Sequence, residues 1–366
     1  MANIDFGIVD RRSMHLYYDK LYTTRQKRPP LKALTLLTDL KVEELREILS
    51  KRRTISRSYT ANIASLGESL YKVSLQRIIG LQYIKNEVIL DAENEGAWII
   101  LTDADSYFIT HVLERFFEKL YPMVSRMYLN YSQMCSLLEN IRESAHASTT
   151  QTFFTIKRER RKPTKERIFP QKKETEFLWG EDVDEEISRV ISEGFIVKVN
   201  RLDFLLTDER NAIFLKAQIT RKGLSKLMFG SFSAFYQNVV LKTIDYGRDR
   251  RNFYDKRERS VDKGVPRLHP LQINYTVDFR NDELSDFAKK ISASYSTSVI
   301  HGGNPYFVAN LCDYEDGSSF GVAVLGNAVT VTPLTRATPA AVSRLLHRIQ
   351  EIMGDGDISS VETRVF

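Results

Sequence analysis

The apolar positions of this chain follow two rhythms that alternate along it. "LQYIKNEVIL" (81–90) and "AWIILTD" (97–103) read as strands around the turn "AENEG", and "SYFITHVLERFFEKLY" (106–121) then has helical spacing. Pro122 ends or kinks that helix, and a further one runs to about Ala145. The order returns in "EGFIVKVNRLDFLLT" (193–207) and "AIFLKAQIT" (212–220) around "DERN", followed by "GLSKLMFGSFSAFYQNVV" (223–240), which reads as helical. A third copy is the meander "YFVANLCDY", "SFGVAVL", "AVTVTP" (306–333) with a helix after it, capped by Thr338, opened by Pro339 and closed by Gly354. Nearer the start, "DLKVEELREILSKR" (39–52) reads as a helix with Val42, Leu45, Ile48 and Leu49 on one face, and 52–68 as a loop.

Hairpins that alternate with helices predict an α+β fold, multi-module, with three hairpin-plus-helix units separated by charged linkers. The length of 366 residues predicts two or three domains. The expected division is an N-terminal α+β module (1–150), a charged linker (151–180), a central α+β module (181–265) and a C-terminal β-meander plus helix (266–366).

Charge sharpens this picture. "KRERRKPTKERIFPQKK" (157–173) holds nine Lys/Arg and two Glu, but residues 174–186 answer with seven acids and no base. An adjacent acidic run competes for the same cations at high effective concentration, so the first run is expected to be a masked connector. Residues 1–60 carry 13 Lys/Arg against 7 Asp/Glu, an excess of +6 that equals the net charge of the whole chain. Here Tyr22 precedes Arg25, Lys27 and Arg28, and near 246–259 Arg248, Arg250 and Arg251 are interleaved with aromatics that include Tyr254. Lys and Arg neutralise phosphates, and aromatic rings stack on bases.

Motifs for other chemistry are missing. There is no phosphate-cradling G-x-x-x-x-G-K-[ST], no dinucleotide fingerprint, no H-E-x-x-H, no C-x-x-C and no G-x-S-x-G. No cofactor and no metal are expected. The hairpin 203–216 offers Asp203, Asp208, Glu209 and Lys216 to a magnesium-dependent nuclease, but Phe214 occupies the position two before Lys216 where a second carboxylate is wanted. His301, Asp313 and Asp316 form a polar cluster, and His301 with Cys312 resembles a base and a thiol. The structural reading is simpler: Asp316-Gly317 is a hairpin turn in which Asp316→Asn is nearly silent, and Cys312 is a buried strand residue.

The two cysteines build no disulfide framework, no secretory leader is evident and no stretch reaches 18 apolar residues, so a cytoplasmic, non-membrane protein is expected. The function these features favour is a non-enzymatic nucleic-acid-binding or scaffold subunit of a cytoplasmic complex, with protein partners and possible homo-oligomerisation. Its contacts are expected to be Arg25, Lys27, Arg28, Arg248, Arg250 and Arg251 to phosphates (DNA or RNA), with Tyr22 and Tyr254 stacking. The alternatives are the metal-dependent nuclease and a protein-only assembly factor that associates through its helices at 106–145.

Overall fold

The computed structural model describes residues 8–24, 28–51, 59–145, 149–160, 174–179, 185, 189, 192, 195–207, 213–255, 261–262, 265–266, 270–276, 278–303, 306–334 and 337–361. The fold is α+β with antiparallel sheets. The chain forms two compact units, the first from Met1–Leu129, Met134–Phe154 and Arg201–Arg248, the second from Asn130–Gln133, Thr155–Asn200 and Asp249–Phe366.

In the first unit α1 (Arg11–Tyr22) precedes β1 (Leu31–Thr38) and α2 (Val42–Lys51). The strands β2 (Tyr59–Gly67), β3 (Leu70–Ile79), β4 (Gln82–Asp91) and β5 (Ala97–Thr102) follow, then α3 (106–118), β6 (Val124–Arg126) and α4 (Tyr131–Ala145). Farther on come β7 (Thr149–Arg160), in this unit as far as Phe154, β9 (Phe195–Thr207), in it from Arg201, β10 (Ile213–Thr220), β11 (Leu224–Gly230) and α5 (232–255), in it as far as Arg248; β8 (Glu174–Trp179) belongs to the second unit. The strand order β2-β3-β4-β5-β1-β11-β10-β9 puts β1 in the middle, antiparallel to β5 and β11. That position explains why "LKALTLLT" shows no alternation: all eight residues are buried because both sheet faces are covered there. On one face Leu34, Leu36, Trp98 and Ile100 pack against Phe108, Val112 and Phe116 of α3. On the opposite face α1 and the start of α5 lie over β11.

The region 223–230, read above as helical, is strand β11, and helix α5 begins only after it. Gly230 marks the change. Its φ is +114°, and a Cβ there would lie 2.2 Å from the Phe214 carbonyl oxygen, so only glycine fits between β11 and Ser231, the cap of α5. Likewise 59–67 is strand rather than loop; residues 52–58 lie outside the described ones. Both α3 and α5 contain a π-helical segment one turn in, at Ile109–Leu113 and Tyr236–Leu241. Phe108, Ile109, Val112, Leu113, Phe116 and Phe117 of α3 pack into the core of this unit.

Part of the stretch read as a linker is regular structure, since β7 and β8 are hydrogen-bonded neighbours; 161–173 lies outside the described residues.

The second unit carries a six-stranded sheet in the order β15-β16-β17-β18-β14-β19. Its elements are the short β12 (Val261–Asp262) and β13 (Val265–Pro266), then β14 (Leu271–Asn274), α6 (Asn281–Ser292), β15 (Tyr295–Gly303), β16 (Tyr306–Asp313), β17 (Ser319–Leu325), β18 (Ala328–Pro333), α7 (Pro339–Met353) and β19 (Asp357–Ser360). The third hairpin-plus-helix stretch thus forms as the pattern predicts: Thr338 accepts a hydrogen bond from the Ala341 N–H, Pro339 opens α7, and Gly354 caps it at φ +94°. Strict alternation in β16, β17 and β18 buries one face of the sheet, where α6 and α7 pack together, and leaves the other open.

Candidate functional site

The predicted contact residues fall in different environments. Arg25 and Lys27 lie outside the described residues. Arg28 is exposed, directly before β1. Arg248, Arg250 and Arg251 sit half-buried on the second half of α5, where Arg248 pairs with Asp245 at 2.8 Å. Tyr22 is only 5% exposed and its hydroxyl donates to the Pro29 carbonyl at 3.0 Å; burial raises its pKa. Tyr254 is 8% exposed. The two rings assigned to base stacking are therefore core side chains. For Tyr22 the periodicity carries the reason: Met14, Tyr18 and Tyr22 recur every four residues and form the buried stripe of α1.

The nuclease hairpin is arranged differently from what a metal site wants. Asp203 pairs with Arg201 of its own strand at 2.6 Å and accepts a hydrogen bond from Gln218 opposite. Asp208 and Glu209 lie outside the described residues. Among the described residues no group of three or more His, Cys, Asp or Glu is placed to hold a metal ion.

What the register does assemble is a polar row across the sheet. Thr102 of β5 faces Lys32 of β1, Lys32 faces Lys226 of β11, Lys226 faces Gln218 of β10, and Gln218 faces Asp203 of β9. Arg201 and Lys216 lie on the same face by the period of two, so Lys32, Lys226, Arg201 and Lys216 share it with Asp203. Like charges directly opposite one another on a sheet are destabilising. Burial, with Lys226 as the next cause, lowers the pKa of Lys32, whose ammonium donates to the Ala104 carbonyl. Burial, followed by Arg201, lowers that of Lys226. Gln218 is 3% exposed and its Oε1 has no hydrogen-bond partner. The row thus brings cations from four strands together, with Asp203 beside Arg201 and Lys226 and with Asp103 and Asp105 acting on Lys32. The sequence shows Lys32 and Lys226 as separate lysines nearly 200 residues apart; only the strand register joins them.

A second polar network, also missed in the sequence, fastens α1. Arg11, His15 and Asp19 recur every four residues along it. Arg11 pairs at 2.7 Å with Asp91, which is wholly buried and also accepts from the Tyr236 hydroxyl. Asp19 accepts from Ser231 Oγ at 2.9 Å, Ser233 Oγ at 2.6 Å and the Ser233 N–H at 3.2 Å, and His15 Nδ1 lies 3.0 Å from Ser233 Oγ. These are the residue types of a catalytic triad in the wrong order. A triad puts the imidazole between serine and carboxylate, whereas here the serine stands between them and its proton points to Asp19. Burial works against ionisation of Asp19, but hydrogen bonds from Ser233 and Ser231 outweigh it and lower its pKa; burial lowers that of His15. Asp19 therefore serves as an anionic cap on α5.

The C-terminal cluster is structural as well. His301 stacks on Tyr306, with centroids 4.1 Å apart. Asp313 is buried against Arg344 at 2.8 Å. Asp316 accepts from the Ser318 N–H and Oγ, both at 2.9 Å, and from Thr338 Oγ1 at 3.1 Å. It thereby ties the turn to the start of α7, and Asp316→Asn would exchange one of these acceptor oxygens for a donor. Cys312 is exposed, not buried, because it falls on the open face of the sheet. His301 is paired with Val308 and Cys312 with Ser296, at opposite ends of the hairpin, too far apart for a base and a thiol to meet.

No family model matches this chain, and neither a curated protein nor a solved structure does.

Proposed function

We propose that this chain is a non-enzymatic nucleic-acid-binding or scaffold subunit of a cytoplasmic complex, and that the face of β9, β10 and β11 that carries Arg201, Lys216 and Lys226, beside the buried Lys32 of β1, receives phosphate. The observation that carries the reading is the direct opposition of Lys32 and Lys226, with Arg201 and Lys216 on the same face. An anion bound over this face would offset the opposition of the two ammonium groups. Arg28 and the Arg248, Arg250 and Arg251 turns of α5 are proposed as further phosphate contacts, as are Arg25 and Lys27. The internal pairing of Asp203 with Arg201 and Gln218 supports binding without cleavage, because a metal would have to displace both partners.

The test is fluorescence anisotropy of labelled single- and double-stranded oligonucleotides, with and without magnesium, followed by electrophoresis of the recovered strand. Binding that leaves the strand intact, and that weakens in Lys226→Ala and Lys216→Ala, is the expected result. Cleavage lost in both Asp203→Ala and Lys216→Ala overturns the non-enzymatic reading, and absence of binding at low salt overturns the proposal altogether.

A further inference from the structure

The hairpin of β3 and β4 reaches beyond the strands that flank it. β5 lies beside β4 only at Ile89, Leu90 and Asp91, and the described part of β2 accompanies β3 no farther than Arg77, which faces Tyr59. The ribbon continues past both to a two-residue turn, Gly80-Leu81, closed by Ile79 and Gln82. Gly80 has φ +61°, which suits the first central position of a tight hairpin turn. From Gln76 to Asn86 no residue is buried, yet Ile78, Ile79, Leu81, Tyr83 and Ile84 fall in this stretch. Leu81 is 99% exposed, Tyr83 71% and Ile78 48%, and Ile78 and Tyr83 stand directly opposite each other. A two-stranded ribbon without a buried face is marginal in water, and a cluster of exposed apolar side chains at its tip marks a contact with a partner.

We infer, on the phosphate-binding reading above, that this ribbon enters the major groove of duplex DNA. Charge, hydrogen-bonding groups and width select that partner. The charged residues between Gln76 and Asn86 are both cations, Arg77 on one strand and Lys85 on the other, as the phosphates on the two sides of a groove require. The nearest carboxylates are paired: Glu87 with Lys72 at 2.9 Å, and Glu118 of α3 with Arg115 at 2.9 Å. At the base of the ribbon Lys119 of α3 lies over the same Tyr59 ring as Arg77, which adds a further cation. The amides of Gln76, Gln82 and Asn86 are interleaved with the apolar residues. Such groups hydrogen-bond base edges, whereas the interior of a membrane would bury them without partners. Two strands about 4.8 Å apart, with their side chains, match the roughly 12 Å major groove of B-DNA, whereas the major groove of duplex RNA is too narrow to be read. The ribbon and the lysine row are also suitably spaced. Leu101 pairs with both Ile89 and Ala33, so the level of Lys32 meets β4 at Val88, and Leu81 lies seven residues farther on. At about 3.3 Å per residue the tip stands about 23 Å beyond the row, roughly seven base pairs of duplex.

The test uses the full chain and four labelled probes: a short DNA duplex, one of its separated strands, the RNA duplex of the same sequence, and the DNA duplex with glucosylated hydroxymethylcytosines, whose sugars fill the major groove. Anisotropy is expected to place the plain DNA duplex about tenfold or more above the other three in affinity. Leu81→Ser with Tyr83→Ala should lower affinity for the plain duplex by about tenfold to a hundredfold, to the level of the glucosylated one. The slope of log affinity against log salt should stay unchanged, because neither side chain displaces a counterion. Both side chains are exposed, so the double variant should melt as the wild type does. Equal affinity for the plain and glucosylated duplexes overturns the inference, as does a double variant that binds as the wild type does. If binding in either case still weakens in Lys216→Ala with Lys226→Ala, the phosphate-binding reading stands without the ribbon. Absence of binding to every probe overturns both. Cosedimentation with vesicles of phosphatidylserine and phosphatidylcholine, lost in the double variant, would assign the tip to a membrane surface and overturn the inference too.

Discussion

A wholly buried carboxylate, Asp91, holds α1 to its unit through Arg11 and the Tyr236 hydroxyl. Removing one partner of such a pair strands the other charge, so Arg11→Met should destabilise the protein by about 3–5 kcal/mol in urea denaturation. Arg115→Ala, which breaks an exposed pair with Glu118, should change stability by less than about 0.5 kcal/mol. Equal losses would show that Asp91 is not the anchor. In the C-terminal turn Gly317 has φ +73°, and Gly317→Val should cost about 1–3 kcal/mol because a β-branched residue resists that region. Asp316→Ala should cost about 1 kcal/mol, since it frees both the Ser318 N–H and the Thr338 hydroxyl. Identical thermal melts for Asp316→Ala and wild type would remove Asp316 from the account. On α7 the hydrogen bond from His347, with burial opposing and Arg348 assisting, lowers Glu351 from 4.5 to about 2. A depressed carboxylate contributes stability that is complete above its unfolded value and is lost as pH falls between the two. The melting temperature of Glu351→Gln should therefore fall less than that of the wild type between pH 5 and pH 2.5. Parallel falls would contradict the assignment.

At the scale of elements, strong periodicity was legible and weak periodicity was not. α7 with its cap, proline and glycine, and the meander before it, stand where the pattern puts them, because alternation there reflects one buried and one open face. "LSKLMFG" misleads because apolar residues fall on both faces of β11, and a short run of that kind does not distinguish strand from helix. β2 misleads because its polar residues suit an edge strand as well as a loop. The stripe Arg11–His15–Asp19 was open to reading by spacing alone, whereas its partners Asp91, Ser231 and Ser233 come from distant strand ends and helix starts that no local pattern joins. The acidic run that follows "KRER" (157–160) in the sequence opens with "ETE" (174–176), and an adjacent acidic run competes for the same cations. Glu174→Gln with Glu176→Gln should therefore raise affinity for an oligonucleotide, by about twofold to tenfold for one or two uncovered phosphate contacts at moderate salt. Unchanged affinity would mean that the acidic run masks nothing.

For the molecule as a whole, the central claim is that phosphate is held by cations which the fold brings together, not by the densest basic run of the sequence. The salt dependence of binding separates these directly, because each phosphate contact on duplex DNA contributes about −0.9 to the slope of log affinity against log salt. The decisive measurement is that slope for the wild type, for Lys216→Ala with Lys226→Ala, and for Arg158→Ala with Arg160→Ala and Arg161→Ala. The account predicts that the lysine pair flattens the slope by about 1–2 units and that the arginine trio flattens it by less than about one. A larger change from the arginine trio, with the slope of the lysine pair equal to that of the wild type, would contradict it.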